Sequence, residues 1–133
     1  MFVLLDTHAL IWLDQNHPAL GNEARRYADQ SLQQNCLAVS AISFWEVGML
    51  VAKRRIDMAL PADTWRRDLI RQGLLEIPVD GDIAITAARL DLQGDPADRI
   101  IAATALIKGA ILLTADQPLL RWANPLERHD ARQ

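Results

Sequence analysis

The sequence predicts an α/β fold, a three-layer α/β/α sandwich with a small, mainly parallel sheet of four to five strands. Short apolar runs of strand length alternate along the chain with longer stretches of helix length, the pattern of strands joined by helical crossovers. Helix-start and helix-stop chemistry recurs at the boundaries between them. The chain has 133 residues, half of them hydrophobic and 23% charged, enough for one domain with a real core and far from the composition of a disordered chain. Residues 1–133 are therefore read as one domain, with a polar tail from about 124.

Phe2 to Leu5 is the first strand, and it runs into Asp6-Thr7-His8. A helix from Ala9 to Leu13 follows, with Asp6 or Thr7 near its cap. Asn16-His17-Pro18 and Gly21 are turn chemistry. Asn22 to Leu32 is a polar, amphipathic helix carrying Arg25 and Arg26, and Cys36 to Val39 is the second strand. Ser40 and Ser43 are both candidate caps for the next helix, which runs from about Phe44 to Lys53, and Lys53-Arg54-Arg55 suits the negative end of its dipole. Pro61 opens a helix holding Trp65 and a basic face of Arg66, Arg67 and Arg71, and Gly73 stops it. Leu74 to Ile77 is the third strand, ended by Pro78, and Asp82 to Leu92 is a short helix.

The stretch from Asp95 to Asp116 organises the rest. Asp95 has N-cap chemistry, Pro96 suits the first turn, and Ile100 to Ile107 is apolar nearly all round, so this helix should be largely buried. Gly109 ends it, and Ala110 to Leu113 is a short buried strand leading through Thr114 and Ala115 to Asp116. Pro118 to Trp122 continues as a short helix, and the tail NPLERHDARQ reads as frayed. Of the four tryptophans, Trp12 and Trp45 read as core residues and Trp65 and Trp122 as partly exposed.

Bulk properties narrow the function. The start MFVLLD lacks a basic region and meets an acid at position 6, so it does not read as a signal peptide, and no apolar run approaches a membrane span. Cys36 is the only cysteine, which fits a reducing, cytoplasmic compartment. Net charge is −3, from 14 basic and 17 acidic residues. Committing four acids to a metal site leaves 13 against 14 bases, a nearly neutral remainder with local arginine clusters.

The chemistry lies in the acids. In a parallel sheet, strand C-termini and helix N-termini share one edge, and ligands bind there. Asp6 and Asp116 follow strands, Asp98 lies in the first turn after the Asp95 cap, and Glu46 sits a turn or two into its helix. Each acid also has an ordinary reading. Asp6 and Asp116 suit N-caps, Ser43-Phe44-Trp45-Glu46 has the pattern of a capping box, and Asp95 and Asp98 suit a helix N-terminus. Together, however, two carboxylates ~6 Å apart repel by about 3 kcal/mol at an effective dielectric near 20. Several such pairs point to a hard divalent cation, Mg²⁺ or Mn²⁺, rather than to capping alone. No glycine-rich phosphate loop and no G-x-S-x-G elbow is present. His8 reads as packing or support rather than as a ligand.

In order and spacing, DTHALIWL, VSAISFWEVGMLVAKRRI, LPADTW, GDPADRIIAATA and LLTAD resemble a PIN-domain ribonuclease, and in particular the VapC-type toxin of type II toxin–antitoxin systems. The resemblance covers nearly the whole chain and implies a PIN-like sandwich. It maps the acidic site onto Asp6, Glu46, Asp98 and Asp116, with Thr7 and Thr114 as supporting hydroxyls and Asp95 beside them. Arg99 follows Asp98 and is a candidate substrate contact. Ala97 stands where relatives often carry an aromatic, and Gly81-Asp82-Ile83 where they often have a histidine.

What the resemblance implies is a Mg²⁺-dependent endoribonuclease, with Mn²⁺ as a substitute. Asp6 and Asp98 are the first-choice ligands, and Glu46 and Asp116 complete the pocket. The substrate class is RNA, transfer RNA or another structured RNA, left with 5′-phosphate and 3′-hydroxyl ends. Partners are a VapB-like antitoxin and a second copy of the chain, through the helices around Asn22 to Leu32 or Phe44 to Arg55. Operator DNA is reached only through the antitoxin. The main rival is a receiver-type phosphoacceptor domain, which needs adjacent acids after an early strand and a lysine at a later strand end. Lys53 and Lys108 are the only lysines, and both close helices. A haloacid-type phosphatase needs D-x-D where the chain has Asp6-Thr7-His8. A non-catalytic PIN-like binding module is the third reading.

Overall fold

The structure is a computed structural model describing residues 1–133. In chain order the elements are β1 (Val3–Leu5), α1 (Thr7–Asp14), α2 (Asn22–Gln33), β2 (Leu37–Ser40), α3 (Ala41–Ala52), α4 (Ala62–Arg71) and β3 (Leu75–Ile77). They continue as α5 (Gly81–Arg89), α6 (Pro96–Lys108), β4 (Ile111–Thr114), α7 (Gln117–Arg121) and β5 (Arg128–Asp130). The five strands form one sheet in the order β3-β2-β1-β4-β5, and every pair is parallel.

Strand period two sorts the core into two layers. Val3, Leu5, Leu37, Val39 and Leu113 point to one face, where Ala9 and Leu10 of α1, Ala24 and Ala28 of α2, Val47 of α3, and Trp65 and Leu69 of α4 cover them. Leu4, Ala38, Ile77 and Leu112 point to the other, under Ile83 and Ala87 of α5, Ile101 and Ala105 of α6, and Leu119 of α7. Both faces are buried at the centre of the sheet, so β1, β2 and β4 read as largely apolar runs rather than alternating ones. α6 is the most buried helix: Ile101 to Ala105 are all inside, as the run predicted. Gly109 ends it in the left-handed region at φ 61°, where a side chain would be strained.

Several expectations shift. α3 begins at Ala41, capped by the Ser40 hydroxyl accepting from the Ile42 amide at 3.2 Å, so Ser43 lies inside the helix and forms no capping box with Glu46. That phase turns Ser43 and Val47 inward and Trp45 outward, and Trp45 is 58% exposed. Trp65 is the core tryptophan instead, 4% exposed, with its indole N–H donating to Asp14 Oδ2 at 2.8 Å. α5 starts at Gly81 under an Asp80 cap and stops at Arg89, before Leu92.

The tail is not frayed. β5 pairs with β4 in register from Leu112↔Arg128 to Thr114↔Asp130. The Arg128 guanidinium donates to the carbonyls of Leu119, Trp122 and Asn124 at 3.1, 2.7 and 3.3 Å, which satisfies the end of α7. Leu126 and Ala131 are buried. Beyond the strand, the Gly21 and Glu23 amides donate to the carbonyl oxygens of Ala131 and Gln133 at 2.8 and 3.1 Å. The uncapped N-terminus of α2 thus takes its acceptors from the tail rather than from a side chain.

That docking leaves no room at Gly21: a Cβ there would lie 2.0 Å from the Gln133 carbonyl carbon. Gly21→Ala should therefore displace residues 131–133, lower stability by about 1–3 kcal/mol, and speed tryptic cleavage after Arg132. An unchanged melting temperature and digestion rate would show that the tail is not held there.

Candidate active site

The switch in strand order falls at β1, whose crossover partners lie on opposite sides, β2 on one and β4 on the other. Crevices of this kind at the C-terminal ends of strands are where α/β sheets bind ligands. A cleft of about 340 Å³ opens there, lined by Asp6, Thr7, His8, Glu46, Asp95, Asp98, Ala115, Asp116 and Arg132. The four acids expected to converge do so, and each arrives on a different element. A separate hollow of about 190 Å³ between Leu10, Leu13, Leu32, Leu69 and Leu74 is mainly apolar and carries no such cluster.

Local structure explains each placement. Asp6 ends β1 and caps α1, with Oδ1 accepting from the Ala9 amide at 2.8 Å and Oδ2 from the Thr114 hydroxyl. Thr114 also accepts from the Asp116 amide at 3.0 Å, so one hydroxyl ties the carboxylate after β1 to the backbone after β4. Asp116 caps α7 by accepting from the Leu119 amide at 3.1 Å. Asp95 caps α6 by accepting from the Ala97 amide at 2.9 Å, and it lines the cleft itself. The ordinary and the functional readings of Asp6, Asp95 and Asp116 therefore hold together, since a carboxylate that gives one oxygen to a cap keeps others for the cleft.

Glu46 reaches in from α3, where Thr7 Oγ1 bonds its Oε1 and lies 2.9 Å from the buried Ser43 hydroxyl. Ser43, read from sequence only as a cap, thus supports Thr7 from beneath. His8 is exposed on the wall of the cleft, in edge contact with Trp12, rather than packed in the core. Arg99 faces away: its guanidinium donates to the carbonyls of Ala87, Ala88 and Leu90 at the end of α5, so it is an α5–α6 clamp and not a substrate contact. Arg132 lines the cleft and was not singled out from the sequence. Its segment reads from sequence as a frayed polar tail, and no periodicity marks a three-residue edge strand.

Crowding shows in the acids' proton affinities. Burial raises the Asp98 carboxyl to about 7 from an ordinary 3.8, helped by the negative charges of Asp116, Glu46, Asp95 and Asp6. Burial also pushes Asp6 up, against the Thr114 and Ala9 hydrogen bonds and the His8 charge, with Asp116 adding to the rise. Glu46 is raised by burial and by Asp95 and Asp6, against the Thr7 bond and His8. No lysine lines the cleft, which removes the cation that a receiver-type phosphoacceptor requires.

The donor set fits a hard divalent cation: carboxylate oxygens and hydroxyls, and no thiolate. No three acids already stand as a closed ligand set.

A family model for the PIN domain matches residues 3–124. The chain belongs to the PIN domain family. Within that family its likeness is to VapC-type members. It is 34% identical over 128 residues to Ribonuclease VapC22 of Mycobacterium tuberculosis (strain ATCC 25618 / H37Rv), covering 92% of this chain and 93% of that one. Among solved structures it resembles VapBC2 from Rickettsia felis bound to a promoter DNA fragment, with a TM-score of 0.72 at 20% identity, covering 98% of this chain and 100% of that chain. It also resembles DNA-bound VapBC from Salmonella typhimurium, with a TM-score of 0.69 at 21% identity and 98% coverage of both. These structural likenesses are likenesses of fold.

The raised carboxyl of Asp98 carries a stability signature. Its folded value lies above its unfolded one, so the stabilisation is complete below the ordinary value near 3.8 and is lost as pH rises through about 7. Glu76, held low by Arg66, acts in the opposite sense, but only as pH falls below its ordinary 4.5. In chelator-treated protein the melting temperature should therefore fall between pH about 5 and 7 and then level off. Asp98→Asn should remove part of that fall, leaving the share of Asp6 and Glu46, and a melting temperature that climbs through the window would contradict the crowding.

Proposed function

We propose that this protein is a metal-dependent endoribonuclease, a VapC-type toxin held in check by a VapB-like antitoxin. One observation carries the reading: Asp6, Glu46, Asp98 and Asp116, from four separate elements, face one cleft at the strand switch point, with Asp98 raised to about 7 by burial and by its neighbours. A fold that gathers five carboxylates at its ligand edge against a single permanent cation, Arg132, suits a divalent cation. The curated relative's name supplies the activity class, and the VapBC complexes supply the kind of partner.

Asp6 and Asp98 would hold the ion, Mg²⁺ or Mn²⁺, directly or through water. When bound, such an ion neutralises phosphate charge and acidifies the water that attacks phosphorus. The protein's own groups do the rest. Thr114 fixes the Asp6 carboxylate from below, and Thr7 with Ser43 fixes Glu46, so neither acid reorganises when substrate enters. Glu46 and Asp116 would orient the attacking water and take its proton. In-line displacement of the 3′ oxygen leaves 5′-phosphate and 3′-hydroxyl ends. We place the substrate among structured RNAs such as transfer RNA, and the protein in the cytoplasm. No helix is long and apolar enough to cross a membrane.

The antitoxin would cover the acidic cleft, and operator DNA would be reached through it. For a homodimer, α3 offers Trp45 and Val51, 58% and 38% exposed, and α2 offers Tyr27, 39% exposed.

Asp6→Asn and Asp98→Asn should each lower cleavage of purified RNA by about 10²-fold or more, and chelator should abolish wild-type cleavage. Wild-type rates in both variants, or cleavage indifferent to chelator, would overturn the mechanism. Mg²⁺ or Mn²⁺ should raise the wild-type melting temperature and leave that of Asp98→Asn nearly unmoved.

A further inference from the structure

Arg132 is the one permanently cationic side chain on the cleft wall, facing Asp6, Glu46, Asp95, Asp98 and Asp116. Two contacts hold it from behind. Its Nη1 donates to the Ala115 carbonyl at 2.6 Å, and its guanidinium carbon lies 5.5 Å from the centre of the Trp12 ring. Trp12 is held in turn, packed against the core and stacked on His17 with ring centres 5.8 Å apart. The segment is fixed as well: the Arg132 amide donates to Asp130 Oδ1 at 2.9 Å, and Ala131 pairs with Thr114.

What Arg132 lacks is an acid partner. The protein's ion pairs are Arg66–Glu76, Arg67–Asp63 and Arg71–Asp68, all remote from the cleft. A guanidinium has five N–H donors, and only one of them makes a hydrogen bond to protein here. A tail anchor beside five carboxylates would gain most by a bidentate pair with one of them. Arg132 is instead braced by a neutral carbonyl and an aromatic face, which leaves its charge and its remaining donors for an anion arriving from solvent. A polyanion approaching an acidic cleft needs such a group, because a divalent ion held among the acids would offset charge at the reacting phosphate only.

We propose that Arg132 binds the backbone phosphate next to the one being cut, in an unpaired stretch of a structured RNA, and so seats the strand over the acids. This rests on the nuclease reading. Planar, bidentate phosphate recognition is what a guanidinium does and an ammonium does not, so charge alone will not replace it.

The test is steady-state cleavage of a fluorescein-labelled stem-loop oligoribonucleotide in Mg²⁺ buffer at several salt concentrations. Arg132→Gln keeps a donor for Ala115 and removes the charge. It should raise KM roughly tenfold, with kcat within about twofold of wild type. The dependence of log(kcat/KM) on log salt should become shallower by about 0.7, the share of one phosphate contact on a single strand. Arg132→Lys should restore the salt slope but only part of the affinity. A merely structural role would move thermal stability and leave the slope alone. Unchanged KM and slope in Arg132→Gln, or a fall in kcat alone, overturns the proposal. If wild type binds the oligoribonucleotide by fluorescence anisotropy but does not cut it, the nuclease reading fails and Arg132 is judged by affinity in the same buffer. There a tenfold loss in Arg132→Gln supports its role and no loss overturns it. A wild type that neither cuts nor binds overturns both.

Discussion

The site depends on how the carboxylate of Asp6 is held. It sits 5% exposed at the end of the central strand, with one oxygen on the Ala9 amide and the other on the Thr114 hydroxyl, and its own amide on the Leu113 carbonyl. Residues 108 positions apart in sequence are thereby fixed across the point where strand order reverses. Everything else in the cleft is placed relative to that junction. Thr114 accepts the amide of Asp116, α1 begins at Asp6 and carries Thr7, and Thr7 reaches across to Glu46.

Holding acids together is costly, and the fold spreads that cost over bonds that serve two ends. A helix N-terminus has unpaired amides and a partial positive charge. Asp6, Asp95 and Asp116 each satisfy one such terminus while presenting charge to the cleft. Asp98 receives no hydrogen bond of this kind, and burial with the neighbouring charges pushes its carboxyl up to about 7. A group poised this way gains most from a cation, since ion binding relieves both burial and repulsion. The two cores on either side of the sheet supply the rigidity that keeps the acids from relaxing apart.

The last ten residues tie the site to the periphery. Arg128 clamps the end of α7, the backbone past β5 supplies acceptors to α2, and Arg132 returns to the cleft rim against Trp12. A segment that is polar throughout earns its place through hydrogen bonds and two small buried contacts, Leu126 and Ala131, rather than through an apolar run.

Local chemistry alone determined the alternation of strands and helices, the parallel sheet, the buried α6 and the acids of the ligand edge. These follow from runs, caps and spacing within about ten residues, and strand C-termini in a parallel sheet share an edge whatever the strand order. Tertiary structure decided what no local pattern encodes. The phase of α3, set by its start at Ser40, turned Trp45 out and put Ser43 under Thr7. β5 exists because β4 offers an open edge and Arg128 a clamp, neither visible in the residues of the tail itself. Arg99 turned away to the end of α5 and Arg132 came to the cleft wall, since a guanidinium goes where carbonyls and rings from distant segments meet it.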